Sequence, residues 1–306
     1  MVPQVLSLAE LVQIAAPGQE IAAAQRLFKR LPADAPGDWR RLAVALALRT
    51  VASGRRVFGI SGGQGAGKTT LAHLTCEALQ ALGVNSLSLS LDDFYLSRAR
   101  RAELAGSIHP LLATRGVPGT HDVVRARAVI AELLAGVACE VPVFDKARDD
   151  QGAVRRINAA VEVVVFEGWC LGVRPQPPDA LTLPCNPLEA LEDGEGHWRG
   201  FVNERLRLDY PALWSLIDDL LFLAVPDISA VHRWRAQQEA GLVSAAQRDA
   251  AGLAAGMAAG MDEAQLTRFI AHYERLTLWA LEDLPRFANL TGHLDGHHAL
   301  VRLDAR

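Results

Sequence analysis

The 306-residue sequence predicts a three-layer α/β/α architecture, a mostly parallel sheet between helical layers, with a helical extension ahead of it. Three observations carry this prediction. Half of the residues are hydrophobic and 22% are charged, which supplies a substantial core and excludes a disordered or fibrous chain. Short apolar runs, VFGIS (57–61), SLSLSL (86–91), VEVVVF (161–166) and LLFLAV (220–225), alternate with helical stretches, a pattern typical of parallel sheets covered on both faces. A glycine-rich run at 62–69 joins the first of these strands to a helix.

The elements follow in order. Apolar residues recur at helical spacing through Leu8, Leu11 and Val12, break at Pro17-Gly18, and resume from Ile21 to Leu31. A third helix is expected from an N-cap at Asp38 to Gly54. At Arg55 the texture changes to strand and helix without a linker. Residues 1–54 are therefore read as a helical extension packed on a catalytic domain of residues 55–306. The Ala- and Gly-rich stretch Ser244 to Met261 reads as a weak helix or a mobile segment.

Charge and composition narrow the function classes. A net charge of -4 and a pI near 6.1 provide no basic field for nucleic acid. No apolar run reaches the roughly 18 residues that a membrane span needs. The four cysteines lack C-x-x-C spacing and the N-terminal residues lack a signal-peptide pattern, so a reduced, cytoplasmic protein is expected. Only three of the 31 Lys and Arg residues are lysine: Lys29, Lys68 and Lys146. A lysine kept against that bias is a candidate for chemistry that arginine cannot do.

Gly62-Gly63-Gln64-Gly65-Ala66-Gly67-Lys68-Thr69, followed by Thr70, matches G-x-x-x-x-G-K-[ST] between a strand and a helix. In such a P-loop the glycines let backbone N–H groups turn inward around phosphate, and the helix N-terminus adds partial positive charge. Lys68 is then expected to reach the β- and γ-phosphates, and the Thr69 hydroxyl to ligate Mg²⁺. A nucleoside triphosphate is implied, but not the reaction.

Two strand ends address the reaction. SLSLSL runs into Asp92-Asp93-Phe94-Tyr95, which sets two carboxylates at the C-terminal edge of the sheet, where ligands bind. A kinase acting on an alcohol needs a carboxylate to take the hydroxyl proton. The competing reading makes one Asp a helix cap and leaves the other solvated. VEVVVF ends in Glu167-Gly168, where a Walker-B-like acid would hold Mg²⁺ or its waters; an ordinary strand-end acid is the alternative. The guanine-reading N-K-x-D is missing from the sequence, which argues against a GTPase.

Together with the phosphate loop, SLDDFY (90–95), HPLLATRGVPGTHD (109–122), VPVFDKARDD (141–150), VVVFEGWCLG (164–172) and PDISAVHRWRAQQE (226–239) resemble, in order, the D-glycerate 3-kinase family. The resemblance extends over roughly residues 55 to 303. That family is grouped with uridine kinase, phosphoribulokinase and pantothenate kinase, so a P-loop NTPase fold with ATP and Mg²⁺ is implied. The activity implied is phosphorylation of D-glycerate to 3-phosphoglycerate. Other acceptors, a nucleoside, pantothenate or a sugar phosphate, and a nucleotide-dependent regulator without an acceptor are the alternatives.

Residue by residue, the resemblance implies Asp92 as general base, with Asp93 the second choice, and Glu167 as the acid that helps place Mg²⁺, together with Thr69 and Asp92. Arg233 and Arg235 become candidates for a lid that stabilises transferred charge, against a solvated helix face. A small hydroxy acid calls for a cation and hydrogen-bonding groups. Asp93, Tyr95, Arg115, His121, Asp122, Asp145 and Lys146 are the available set, and His109 is divided between loop packing and substrate contact. His293, His297 and His298 flank Asp295-Gly296 and read as a hairpin turn between short strands. Glu189, Glu192, Asp193 and Glu195 read as a solvated loop or helix start. The tryptophans Trp169, Trp198, Trp214, Trp234 and Trp279 read mostly as core, with Trp169 close enough to Glu167 to line a site. Oligomeric state is not legible.

Overall fold

The computed structural model describes residues 5–237 and 262–306, so the expectation for Ser244 to Met261 falls outside the described residues. Among them, eight strands form: β1 (Val57–Gly62), β2 (Ser86–Ser90), β3 (Cys139–Asp145), β4 (Asp150–Ile157), β5 (Val163–Gly168), β6 (Asp219–Ala224), β7 (Leu290–Leu294) and β8 (Leu300–Ala305). Six build one sheet in the order β2-β5-β1-β6-β7-β8, parallel throughout except for the antiparallel edge strand β8. The parallel pairs align their C-terminal ends. Glu167 thereby stands beside Ile60 of β1 and Ser90 of β2.

Residue parity shows how the sheet is covered. Phe58, Ile60, Val163, Val165, Leu221 and Leu223 face one apolar core, and their neighbours Val57, Val164, Phe166, Leu220 and Phe222 face the other. The first core is closed by α1 (Leu8–Ala15), α2 (Ile21–Phe28), α3 (Gly37–Ser53) and α4 (Lys68–Ala81). The second is closed mainly by α6 (Val123–Leu134), α8 (His197–Leu208) and α11 (Glu263–Asp283). Shorter or peripheral helices are α5 (Arg98–Ser107), α7 (Pro187–Glu192), α9 (Pro211–Trp214) and the helical residues 228–237, α10.

The N-terminal helices share their core with the sheet. Arg49 of α3 donates to the buried carboxylate of Asp219 at the start of β6, at 2.6 Å, and Arg55 reaches the same group. Trp39 lies against the phosphate loop, where a Cβ on Gly67 would come within 2.9 Å of the indole. The expected N-cap of α3 is corrected: Pro36 holds that position, and Asp38 sits in the first turn, bonded to Arg41. There its charge still complements the helix N-terminus. Gly54 ends the helix in the left-handed conformation, φ 65°.

Two further expectations change. The hairpin β3–β4 stands apart from the main sheet and was not foreseen; β4 is exposed at nearly every position, so its sequence carries no apolar alternation. The acids at 189–195 are not all solvated. Glu189 is fully buried and held by Arg275 at 2.6 and 2.7 Å, and buried Asp193 is held by Arg199 at 3.0 Å. Buried carboxylates persist only when paired in this way.

Candidate active site

The phosphate loop closes between β1 and α4, and its lysine is drawn inward. Lys68 Nζ donates to the Gly63 carbonyl at 2.9 Å, across the mouth of the loop. Burial lowers the Lys68 pKa, while Glu167 and Asp92 oppose that shift. The Thr69 hydroxyl donates to Glu167 Oε1 at 3.0 Å, so a hydroxyl and a carboxylate oxygen meet where the loop faces the strand ends. Burial raises the Glu167 pKa, offset by Lys68 and reinforced by Asp92. Hard oxygen donors beside a phosphate loop fit Mg²⁺, which keeps several waters and takes only one or two carboxylates from the protein.

The loop is buttressed from a side that the sequence did not reveal. His298, in the β7–β8 turn, offers Nε2 to the Gly65 carbonyl at 3.0 Å and stacks on Trp234 with ring centroids 4.0 Å apart. Trp234 Nε1 in turn donates to Gly296 O at 3.2 Å. The hairpin turn read from the histidines is present, and it packs on the loop.

A second group of side chains gathers at the end of β2. The 3₁₀ turn Leu91–Phe94 directs Asp92 and Asp93 differently. Asp92 accepts from Tyr95 OH at 2.8 Å on Oδ1 and from Lys146 Nζ at 2.7 Å on Oδ2. Burial would raise the Asp92 pKa, but Lys146, Tyr95 and Lys68 together leave it lowered. Asp93 accepts from the Phe144 backbone N–H at 3.2 Å, pinning β3, and burial raises its pKa.

Around this pair lies an aromatic and basic wall. Tyr95 stacks on His121 at 4.7 Å, and His121 Nδ1 meets Tyr210 OH at 2.7 Å. His121 is 5% exposed, its Nε2 has no protein partner, and burial lowers its pKa to about 4. Arg115 pairs with Asp149 and lies over Phe144, and its carbonyl accepts from Tyr273 OH at 2.8 Å. Trp169, buried as expected, donates to Gly116 O at 2.9 Å.

No family model matches the chain. Over 250 residues it is 32% identical to "Uncharacterized kinase mug58" of Schizosaccharomyces pombe, covering 78% of this chain and 85% of that protein. Over 230 residues it is 30% identical to the chloroplastic D-glycerate 3-kinase of Arabidopsis thaliana, covering 71% of this chain and 46% of that protein. The chain thus spans less than half of the plant relative's length.

The chain belongs to the kinase family of the Schizosaccharomyces pombe protein and is similar to the plant D-glycerate 3-kinase. It is a P-loop kinase, a phosphotransferase. The fold is shared with the solved D-glycerate 3-kinase from Cryptococcus neoformans at a TM-score of 0.68 and 23% identity, over 93% of this chain and 99% of that one.

Within this family member, the residues singled out in the sequence separate into those that converge and those that serve the scaffold. Lys68, Thr69, Glu167, Asp92 and Lys146 form one charged cluster. Tyr95, His121 and Arg115 line its flank. Asp122 instead caps α6 by accepting from Arg125 N at 2.9 Å, and Asp145 holds the β3–β4 turn by accepting from Ala147 N and Arg148 N. His109 caps the 3₁₀ turn Pro110–Ala113, which favours loop packing. Asp122 and Asp145 thus each commit one carboxylate oxygen, Oδ1, to a local turn.

Arg233 and Arg235 have different surroundings. Residues two apart on a helix face different directions. Arg233 is exposed near the Gly296 turn, while half-buried Arg235 lies over Phe269 at 5.2 Å. Gln238 and Glu239 of the same motif lie outside the described residues.

Tyr210, Tyr273, Arg101 and Asp149 were missed. Arg101 is fully buried, donating to Leu96 O, Ala113 O and Asp149 O, and so ties three loops of the acceptor side together. The chain contains only three tyrosines, and all three stand here. That rarity was the available signal. Among the described residues no helix is long and apolar enough to cross a membrane.

Proposed function

We propose that this kinase transfers the γ-phosphoryl group of ATP to the 3-hydroxyl of D-glycerate, giving 3-phosphoglycerate and ADP. The observation that carries the reading is the placement of Asp92 beside Lys146, with the charge of Lys68 in the phosphate loop also felt at its carboxylate. A carboxylate base next to a cation suits an acceptor that is both an alcohol and an acid. The names of the curated and structural relatives support the same acceptor.

In this mechanism the phosphate loop and Lys68 hold the β- and γ-phosphates, and Asp92 receives the proton of the acceptor hydroxyl. The acceptor oxygen bonds to the γ-phosphorus as the bond to the β–γ bridging oxygen breaks, and ADP carries that electron pair away. Phosphoryl transfer leaves little covalent chemistry to the protein, so positioning and charge neutralisation supply most of the rate. Thr69 and Glu167 would hold Mg²⁺, which when bound neutralises phosphate charge. His121 and Arg115 border the acceptor, and Arg235 is the better placed of the two lid arginines. We place the kinase in a reducing, cytoplasmic setting, in keeping with four free cysteines.

The test is ADP release with D-glycerate, L-glycerate, glycerol, uridine and pantothenate. The D-glycerate reading expects stimulation by D-glycerate far above the others. Equal or greater stimulation by uridine or pantothenate would reassign the acceptor.

A further inference from the structure

The β3–β4 hairpin brings one flexible cation to the proposed base, and its surroundings are fixed while that cation is not. The turn end of the hairpin is anchored by Phe144 N to Asp93 and by Arg98 N to Asp150 Oδ1 at 3.0 Å. Its turn is held by Asp145. Nearby arginines are already committed: Arg101 and Arg115 both serve Asp149. Lys146 differs. Its side chain is 62% exposed, and the contact it makes is to Asp92, itself 26% exposed. The ammonium is open to water, where ion pairs are weak, so another anion can take the cation at small cost.

Both oxygens of Asp92 are occupied in this state, Oδ1 by Tyr95 OH and Oδ2 by Lys146 Nζ. Each oxygen keeps a further lone pair, but an ammonium hydrogen-bonded to Oδ2 makes that oxygen a weaker proton acceptor. We infer that Lys146 is a carboxylate-responsive positioning residue: it masks Asp92 in the free enzyme, and the acceptor's own carboxylate draws it away and opens Oδ2 to the acceptor hydroxyl. The inference rests on the D-glycerate reading above. It makes the acceptor's carboxylate act on turnover as well as on affinity. A neutral polyol of the same shape leaves Lys146 on Asp92 and reacts slowly even at saturation. Lysine suits this exchange better than arginine, because a single ammonium on a flexible stem transfers between carboxylates more readily than a bidentate fork.

The experiment compares kcat and KM for D-glycerate and D-glyceramide, its neutral amide, in the wild-type chain, Lys146→Gln and Lys146→Arg. In the wild type, kcat for glyceramide is lower than for glycerate by about 10²-fold, within the range a general base supplies. Lys146→Gln raises KM for glycerate and raises kcat for glyceramide about tenfold, because the mask is gone while the base remains. Lys146→Arg, which keeps the cation, retains the kcat preference. The inference is overturned if Lys146→Gln leaves glyceramide kcat unchanged or lower, with its effect confined to KM for glycerate, as a simple carboxylate anchor would give. Absence of D-glycerate-dependent ADP release in the wild type would instead remove the acceptor reading itself.

Discussion

The phosphate side and the acceptor side of this site are built differently. The phosphate side is one continuous segment, Gly62 to Thr70, whose conformation comes from a strand end, a glycine-rich turn and a helix start. The acceptor side is assembled from Asp92–Tyr95, Arg115–His121, the β3–β4 turn and Tyr273, joined by hydrogen bonds across as many as 158 positions of sequence. Local geometry suffices to bind a phosphate chain, which every such enzyme shares. Recognition of one acceptor needs contacts that only tertiary structure brings together.

The largest expected effects test whether the two halves act separately. Lys68→Ala removes the phosphate clamp and lowers turnover about 10²–10³-fold, the range for loss of one donor to developing charge, together with ATP affinity. Asp92→Asn lowers kcat about 10²–10⁴-fold, the range for loss of a general base, and leaves KM for ATP close to wild type. Steady-state kinetics with both substrates varied checks the pair. If Asp92→Asn weakened ATP binding as much as Lys68→Ala does, the division between the halves would be wrong.

A smaller effect sharpens the same division through two glycines. Gly65 has φ 79°, and a Cβ there would lie 2.7 Å from Trp234 Cβ; Gly116 has φ 129°, and a Cβ there would lie 2.2 Å from the Tyr273 hydroxyl oxygen. Forcing a side chain into such conformations costs about 1–3 kcal/mol each. Gly65→Ala is expected to raise KM for ATP about tenfold with little change for the acceptor, and Gly116→Ala the reverse. Equal shifts in both constants for both variants would mean that the halves move as one unit.

This contrast also explains what the sequence disclosed. Four of the main-sheet strands, the helix after the phosphate loop and the β7–β8 turn were legible because their signals are local: apolar runs, G-x-x-x-x-G-K-[ST], and Asp295-Gly296. Lys68, Glu167 and Asp92 stood out for the same reason, each standing at a strand end or in the loop that follows. Asp122 and Asp145 were assigned to substrate because they belong to family-like motifs, yet their carboxylates are used in a helix cap and a turn. A motif shows that a residue type matters and not which neighbour it serves. Tyr210 and Arg101 belong to no local pattern, so their convergence with Tyr273 appears only in the fold.

A further effect concerns stability and leaves catalysis aside, and it isolates a buried group of the acceptor side. Tyr210 OH accepts from Gly119 N at 3.1 Å and meets His121 Nδ1 at 2.7 Å, which ties the imidazole into the acceptor wall. The ring is neutral, and burial lowers its pKa to about 4. In the unfolded chain the same imidazole takes its proton near 6.5. Above that pH neither state is protonated and His121 contributes no pH dependence. As pH falls from 6.5 to about 4, the unfolded state binds more protons than the folded one, and stability declines by up to about 3 kcal/mol from this group. Below pH 4 both states are protonated and the decline stops. Urea denaturation at pH 7 and at pH 4.5 measures it. Wild type is expected to lose more stability between the two than His121→Gln, whereas the matching change at half-buried His298 beside the phosphate loop gives a smaller difference. Equal losses in wild type and His121→Gln would show that His121 takes a proton without cost, and so is not sealed into the acceptor wall.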